Sequence, residues 1–126
     1  MTRVRPARPE ELPAVMGVLD GAALAVEADA VREAIDRGAV LVAVADGRVL
    51  GACVLDGREI TAIAVRRARR DQAIGTRLVE AAAERYVTDE DELIAEFDRG
   101  VRPFYESLGF AIEPADEPGR FRGRLG

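Results

Sequence analysis

The sequence predicts an α/β fold, a mixed and mostly antiparallel sheet with helices on both faces. Three observations carry this. Short β-branched runs are punctuated by Asp46-Gly47 and Asp56-Gly57, a strong local hairpin signal. The run Glu59–Val65 crosses an arginine-rich loop into a helical pattern and then a further strand, which predicts a right-handed parallel crossover. Apolar residues spaced i, i+4 mark helices elsewhere in the chain.

The elements follow in order. Residues 2–7 read as a strand. Glu10 to about Leu24 reads as a helix with Leu12, Val15, Met16 and Leu19 inward. Glu27 to Arg37 reads as a second helix: Val31 and Ile35 share a face, and Gly38 is its stop. Val40 to Ala45 and Val49 to Leu55 are strands, each closed by one of the Asp-Gly turns. Glu59 to Val65 is the next strand, where Ile60, Thr61, Ile63 and Val65 supply β propensity. By simple alternation Glu59, Thr61, Ile63 and Val65 share a face. Thr76 to Val87 is a helix with Leu78, Ala82 and Tyr86 on one line. Leu93 to Phe97 is a strand after an acidic loop. Pro103 opens a short helix, and Gly109 closes it in a left-handed conformation. Ala111 to Glu113 and Phe121 to Leu125 form a closing hairpin. The order is β-α-α-β-β-β-α-β-α-β-β, and 126 residues are expected to form one domain spanning 1–126.

Composition excludes several chemistries. The chain has no histidine and a single cysteine, Cys53. A histidine-based triad, a zinc site and an internal disulfide therefore cannot be built. Proton transfer falls to Glu, Asp, Tyr, Cys, backbone or water. All 18 basic residues are arginine, against 23 acidic ones, for a formal net charge of −5. That balance argues against a general nucleic-acid binder and suits a cationic acceptor. No apolar run is long enough for a membrane span. With no secretory layout at the N-terminus, a cytoplasmic location is expected.

The segment Ile60–Val79 is the most informative. A strand that feeds a glycine-containing turn onto a helix N-terminus brings free N–H groups and the positive dipole end together, which suits phosphate. It is not a P-loop, which needs a lysine this chain lacks, nor a three-glycine dinucleotide fingerprint. Arg70-Asp71-Gln72-Ala73-Ile74-Gly75 instead resembles the acetyl-CoA signature of the GNAT superfamily of N-acetyltransferases, Arg/Gln-x-x-Gly-x-Gly/Ala. Ala73 stands where that pattern has glycine, and alanine resists a positive φ. Arg102-Pro-Phe-Tyr-Glu-Ser-Leu-Gly-Phe110 resembles the family's second signature. Asp98 stands where relatives often carry asparagine. Arg3–Val15 is similar to the family's first strand and helix.

The resemblance implies the GNAT fold, in which the strand before the phosphate helix and the strand after it splay apart to admit the pantetheine arm. It implies acetyl transfer from acetyl-CoA to a primary amine of a small molecule or peptide. The alternative is an acyl-CoA-binding sensor or subunit of the same fold with little catalysis. A homodimer is compatible with either. The implied phosphate contacts are the main chain of Arg70, Asp71, Gln72, Ala73, Ile74, Gly75 and Thr76, with side-chain help from Arg69 or Arg70. The backbone of Ile63, Ala64 and Val65 is the implied partner of the pantetheine. Tyr105 is the implied general acid for the departing thiolate, since the ordinary phenol pKa lies near that of an alkyl thiol. It lies off the Phe104/Leu108 line and so points elsewhere. Glu59, eleven residues before Arg70, is the implied general base. Its competing role is a solvated strand end. Cys53, between Ala52 and Val54, reads as a small buried hydrophobe rather than a nucleophile.

Overall fold

A computed structural model describes residues 2–21, 26–68, 73–88 and 91–126 of the chain. The elements are β1 (Arg3–Pro6), α1 (Leu12–Gly21), α2 (Ala28–Asp36), β2 (Val40–Ala45), β3 (Arg48–Asp56), β4 (Glu59–Val65), α3 (Ile74–Tyr86), β5 (Leu93–Asp98), α4 (Arg102–Ser107), β6 (Ala111–Pro114) and β7 (Arg120–Leu125). The order matches the one read from the sequence. The strands form one sheet in the order β1-β2-β3-β4-β5-β7-β6. Every pairing is antiparallel except β4 with β5.

Local chemistry explains the boundaries. Asp46 and Gly47 both adopt positive φ, as a tight hairpin between β2 and β3 requires. The second hairpin differs by one residue from its sequence reading. Asp56 pairs with Glu59, so the turn is Gly57-Arg58, with Gly57 at φ +57° in its first central position. Gly38 and Gly109 take left-handed conformations after α2 and α4, as predicted. The first helix ends its described course at Gly21, short of the predicted Leu24, and residues 22–25 lie outside the described residues.

The core runs through the sheet. β3 is buried from Val49 to Leu55, with α1 and α2 covering one face and α3 the other. Val15, Val18 and Leu19 are the buried positions of α1, and Val31 and Ile35 are buried on α2. Gly51 controls how closely α3 seats. A Cβ there would lie 3.1 Å from the Ala64 carbonyl, 3.2 Å from Ile74 Cγ2 and 3.2 Å from Leu78 Cδ1. The first two turns of α3 therefore rest directly on the backbone of β3, next to the end of β4. Among the described residues, no helix is long and apolar enough to cross a membrane.

Candidate active site

The site begins with a failure of strand pairing. β4 and β5 are held together only at Glu59↔Ile94 and Ile60↔Ala95. Beyond these the strands part, and β5 turns to pair along its whole length with β7. The β4 edge from Thr61 to Ala64 is left without a partner strand on that side. A β-bulge lies at the same place: Val54 pairs with Ala62 and Leu55 with Ile60, which makes Thr61 an extra residue on β4.

Burial still alternates along β4: Ile60, Ala62 and Ala64 are buried, and Glu59, Thr61, Ile63 and Val65 are less so, as the sequence predicts. The cleft begins one residue beyond Glu59. Glu59 itself pairs with Asp56 and Ile94 at the closed end of the seam and does not line the cleft.

The parted strands open a cleft of about 420 Å³. Its walls are residues 60–63 of β4, residues 96–98 of β5, Phe104 and Tyr105 of α4, and Arg120 of β7. Tyr105 is the buried residue of α4, only 3% exposed. Phe104 and Leu108 are half-buried and both pack against the core, as their i, i+4 spacing implies, while Tyr105, off their line, is the more deeply buried. The reason is tertiary. The Tyr105 ring stacks on Phe97 at 4.3 Å between centroids, and it meets Phe104 and Phe110 edge-on, each at 5.1 Å. Burial, and next the nearby Cys53, push its pKa above the ordinary phenol value. The phenol is therefore protonated at neutral pH, as a proton donor must be.

Cys53 itself is fully buried, and burial raises its pKa to about 12. A thiol held neutral in the core is no nucleophile.

The N-terminus of α3 stands at the other end of the open edge. Ala73 caps it in the left-handed region, at φ 57° and ψ 24°, the conformation an alanine resists. Such an outlier is held only where the surroundings impose it, and outliers of this kind cluster at ligand sites. The first turn of α3 carries no acidic residue. Ile74 is buried against β3, so it can offer a ligand only its main chain. A Cβ at Gly75 would lie 3.4 Å from the Phe104 ring and 3.8 Å from Val65, ordinary contact distances that set the turn beside α4. Thr76 is half-buried in the same turn. Arg69, Arg70, Asp71 and Gln72 lie outside the described residues.

Two arginines of the basic cluster are engaged elsewhere. Arg66 donates through Nε to the Val49 carbonyl at 2.8 Å. Arg77 lines a shallow polar depression with Glu80 and Glu84.

On β5 the sequence reading missed Glu96 and named Asp98 only as a departure from the family pattern. Both alternate with Phe97 and line the cleft from the face opposite the Tyr105 stack. Asp98 binds Arg120 at 2.8 Å, and Glu96 accepts from Arg122 at 3.1 Å. Their i, i+2 spacing is legible in the chain. That the strand borders an open seam is not.

The arrangement fits a long ligand with an anionic end and an amide-rich arm. A helix N-terminus with no acid in its first turn takes the anion, an unpaired strand edge takes amides, and a protonated phenol waits in the cleft. No group of His, Cys, Asp or Glu suited to a metal occurs among the described residues.

Comparison with known proteins agrees with this geometry. No curated protein sequence matches the chain. Among solved structures it is similar to the PaiA N-acetyltransferase of Thermoplasma acidophilum in complex with coenzyme A, with TM-score 0.82 and 16% identity over 99% of this chain and 98% of that one. It is also similar to a GNAT-family acetyltransferase of Bacillus cereus, with TM-score 0.78 and 14% identity over 99% and 95% of the two chains. The ribosomal-protein-S18-alanine N-acetyltransferase of Escherichia coli gives TM-score 0.73 and 18% identity over 99% and 92%. At these identities the likeness shows the fold. The profile of the acetyltransferase (GNAT) domain matches residues 36–112, from the end of α2 through the splayed seam to β6. That match covers more than half the sequence: the chain belongs to the GNAT family of acetyltransferases.

Proposed function

We propose that the protein transfers an acetyl group from acetyl-CoA to the primary amine of a small molecule or peptide, directly and in a ternary complex. The observation that carries this reading is the parted β4–β5 seam with the protonated Tyr105 phenol inside it. Acetyl-CoA brings an activated thioester. The main chain from Arg70 to Thr76, with Arg69 or Arg70 beside it, holds the phosphates. The β4 main chain at Ile63, Ala64 and Val65 orients the pantetheine as an added strand would. Tyr105 gives its proton to the departing thiolate. Direct transfer follows from the state of Cys53, which is buried and neutral and cannot carry the acyl group. A cytoplasmic setting belongs to the same reading, since that is where acetyl-CoA and free amines meet.

A thiol-release assay over polyamines, amino acids and peptide N-termini tests the reaction. Calorimetry with acetyl-CoA tests the site. Ala73→Asp is the variant of choice, because aspartate tolerates the left-handed region while placing a carboxylate at the turn. Binding is expected to weaken tenfold or more. Unchanged affinity in the folded variant would remove the phosphate assignment.

A further inference from the structure

We infer that Thr61 orients the acceptor nitrogen: its hydroxyl oxygen accepts an N–H of the attacking amine and so aims the nitrogen lone pair at the thioester carbonyl. The inference rests on the acetyltransferase reading and adds to it a residue that holds the acceptor at the reacting centre.

Order along β4 places Thr61 there. The strand runs from the closed end of the seam at Glu59 to Val65, and α3 begins beyond it at Ile74. A donor whose phosphates sit at the start of α3, and whose pantetheine follows Val65, Ala64 and Ile63, brings its thioester to the other limit of the open edge. That limit is where the strands part, and Thr61 and Tyr105 both line the cleft there. Thr61 stands two residues, about 7 Å, past Ile63.

Bonding then decides what Thr61 can do. It is the extra residue of the β-bulge, exposed on β4, and its hydroxyl donates to the Val54 carbonyl at 3.2 Å. A carbonyl has no proton to give, so the hydroxyl proton is committed to that bond. The oxygen keeps its lone pairs and acts as an acceptor. The same bond fixes the rotamer, and with it the direction of those lone pairs. An acceptor cannot stabilise the thioester carbonyl oxygen, which needs a donor. Its partner must carry an N–H. The nearest pantetheine amide is two carbons back from the sulfur, toward Ile63, which leaves the attacking amine.

The carboxylates across the cleft are engaged with arginines: Asp98 with Arg120 at 2.8 Å, and Glu96 with Arg122 at 3.1 Å. A neutral oxygen also suits the nucleophile better. A carboxylate holds the ammonium ground state more tightly than the free amine, whereas a hydroxyl oxygen gives up less when the charge is lost. Thr61 keeps its own proton throughout, and no covalent bond to it forms or breaks. Its contribution is orientation.

The test compares wild type, Thr61→Val and Thr61→Ser with one primary amine at pH 7 and pH 9, with acetyl-CoA affinity measured by calorimetry. Valine keeps the β-branched shape and removes the oxygen, whereas serine keeps the oxygen. Thr61→Val is expected to lower kcat/KM for the amine about tenfold, the effect of one lost hydrogen bond. The loss should be equal at both pH values, because a hydroxyl does not titrate between them. Acetyl-CoA affinity should stay at the wild-type value, and Thr61→Ser should recover most of the rate. Wild-type kcat/KM in Thr61→Val overturns the assignment. So does an equal loss of acetyl-CoA affinity, which would make Thr61 a support of the β4 edge or a cofactor contact, and so does a failure of serine to restore the rate. Each of these leaves the acetyltransferase reading standing. No thiol release by wild type with any amine overturns both.

Discussion

The two ends of the β4–β5 seam are built from similar residues and do opposite things. At the closed end, Glu59 and Ile60 pair with Ile94 and Ala95, and a glutamate is simply part of a ladder. At the open end, Thr61, Ala62 and Ile63 face Phe97 and Tyr105 across a cleft, and a glutamate two residues along β5 from Ile94 becomes a wall of that cleft. The chemistry of the side chain is the same in both places. What differs is whether the backbone beside it has found a strand partner. β5 parts from β4 after Ala95 while β7 pairs with its other edge from Leu93 to Asp98, and the bulge at Thr61 lies where the parting begins. A sheet that completed its pairing would have no site.

That comparison can be attacked from its strongest side. Tyr105→Phe removes a hydroxyl at the open end while keeping the ring and its three aromatic neighbours. Turnover is expected to drop by about a hundredfold or more with little change in acetyl-CoA affinity, since the lost interaction belongs to the transition state. Wild-type kcat across the pH range would mean that the buried phenol is only core.

Seating of α3 is the next lever. Gly51→Ala puts a methyl group 3.1–3.2 Å from the Ala64 carbonyl and two side chains of α3. Stability is expected to fall by about 1–3 kcal/mol, and acetyl-CoA affinity should fall with it, because the phosphate turn is displaced from the open edge. Thermal denaturation with and without acetyl-CoA reads both effects. A loss of stability at unchanged affinity would separate the seating of α3 from the site.

Ala73→Gly relieves the left-handed backbone at the turn itself. A gain of about 1 kcal/mol in folding stability is expected, seen as a rise of a few degrees in Tm. An unchanged or lowered Tm would show that the alanine conformation carries no strain. The smallest effect is assigned to the closed end. Glu59→Gln should alter kcat by less than about threefold at pH 7, in contrast to Tyr105→Phe. A large, pH-dependent loss there would erase the distinction between the two ends.

Much of this was legible in the chain. The element order, the two hairpins, the glycine stops of α2 and α4, and the strand–turn–helix at Ile60–Val79 rest on local chemistry: β-branched runs, Asp-Gly turns and i, i+4 spacing. Composition alone removed histidine, zinc and disulfide chemistry. Tyr105 was identifiable from its motif, although its burial was not. On a helix of six residues, spacing names several candidate faces, and only the neighbours Phe97 and Phe110 decide which one turns inward. Gly75 was legible as part of the phosphate turn, but not that it lies beside Phe104, on a helix about thirty residues later in the chain. The partial exposure of Glu59 was legible from alternation, but not that the strand pairing still holds at its position and ends just beyond it. Glu96 was visible only as an acidic position on a strand. The sequence by itself determined which elements form and which chemistries are excluded, because those depend on neighbours a few residues away. Tertiary structure decided where the sheet stops pairing, and with it which side chains line the cleft, because that depends on how strands distant in the sequence are set against one another.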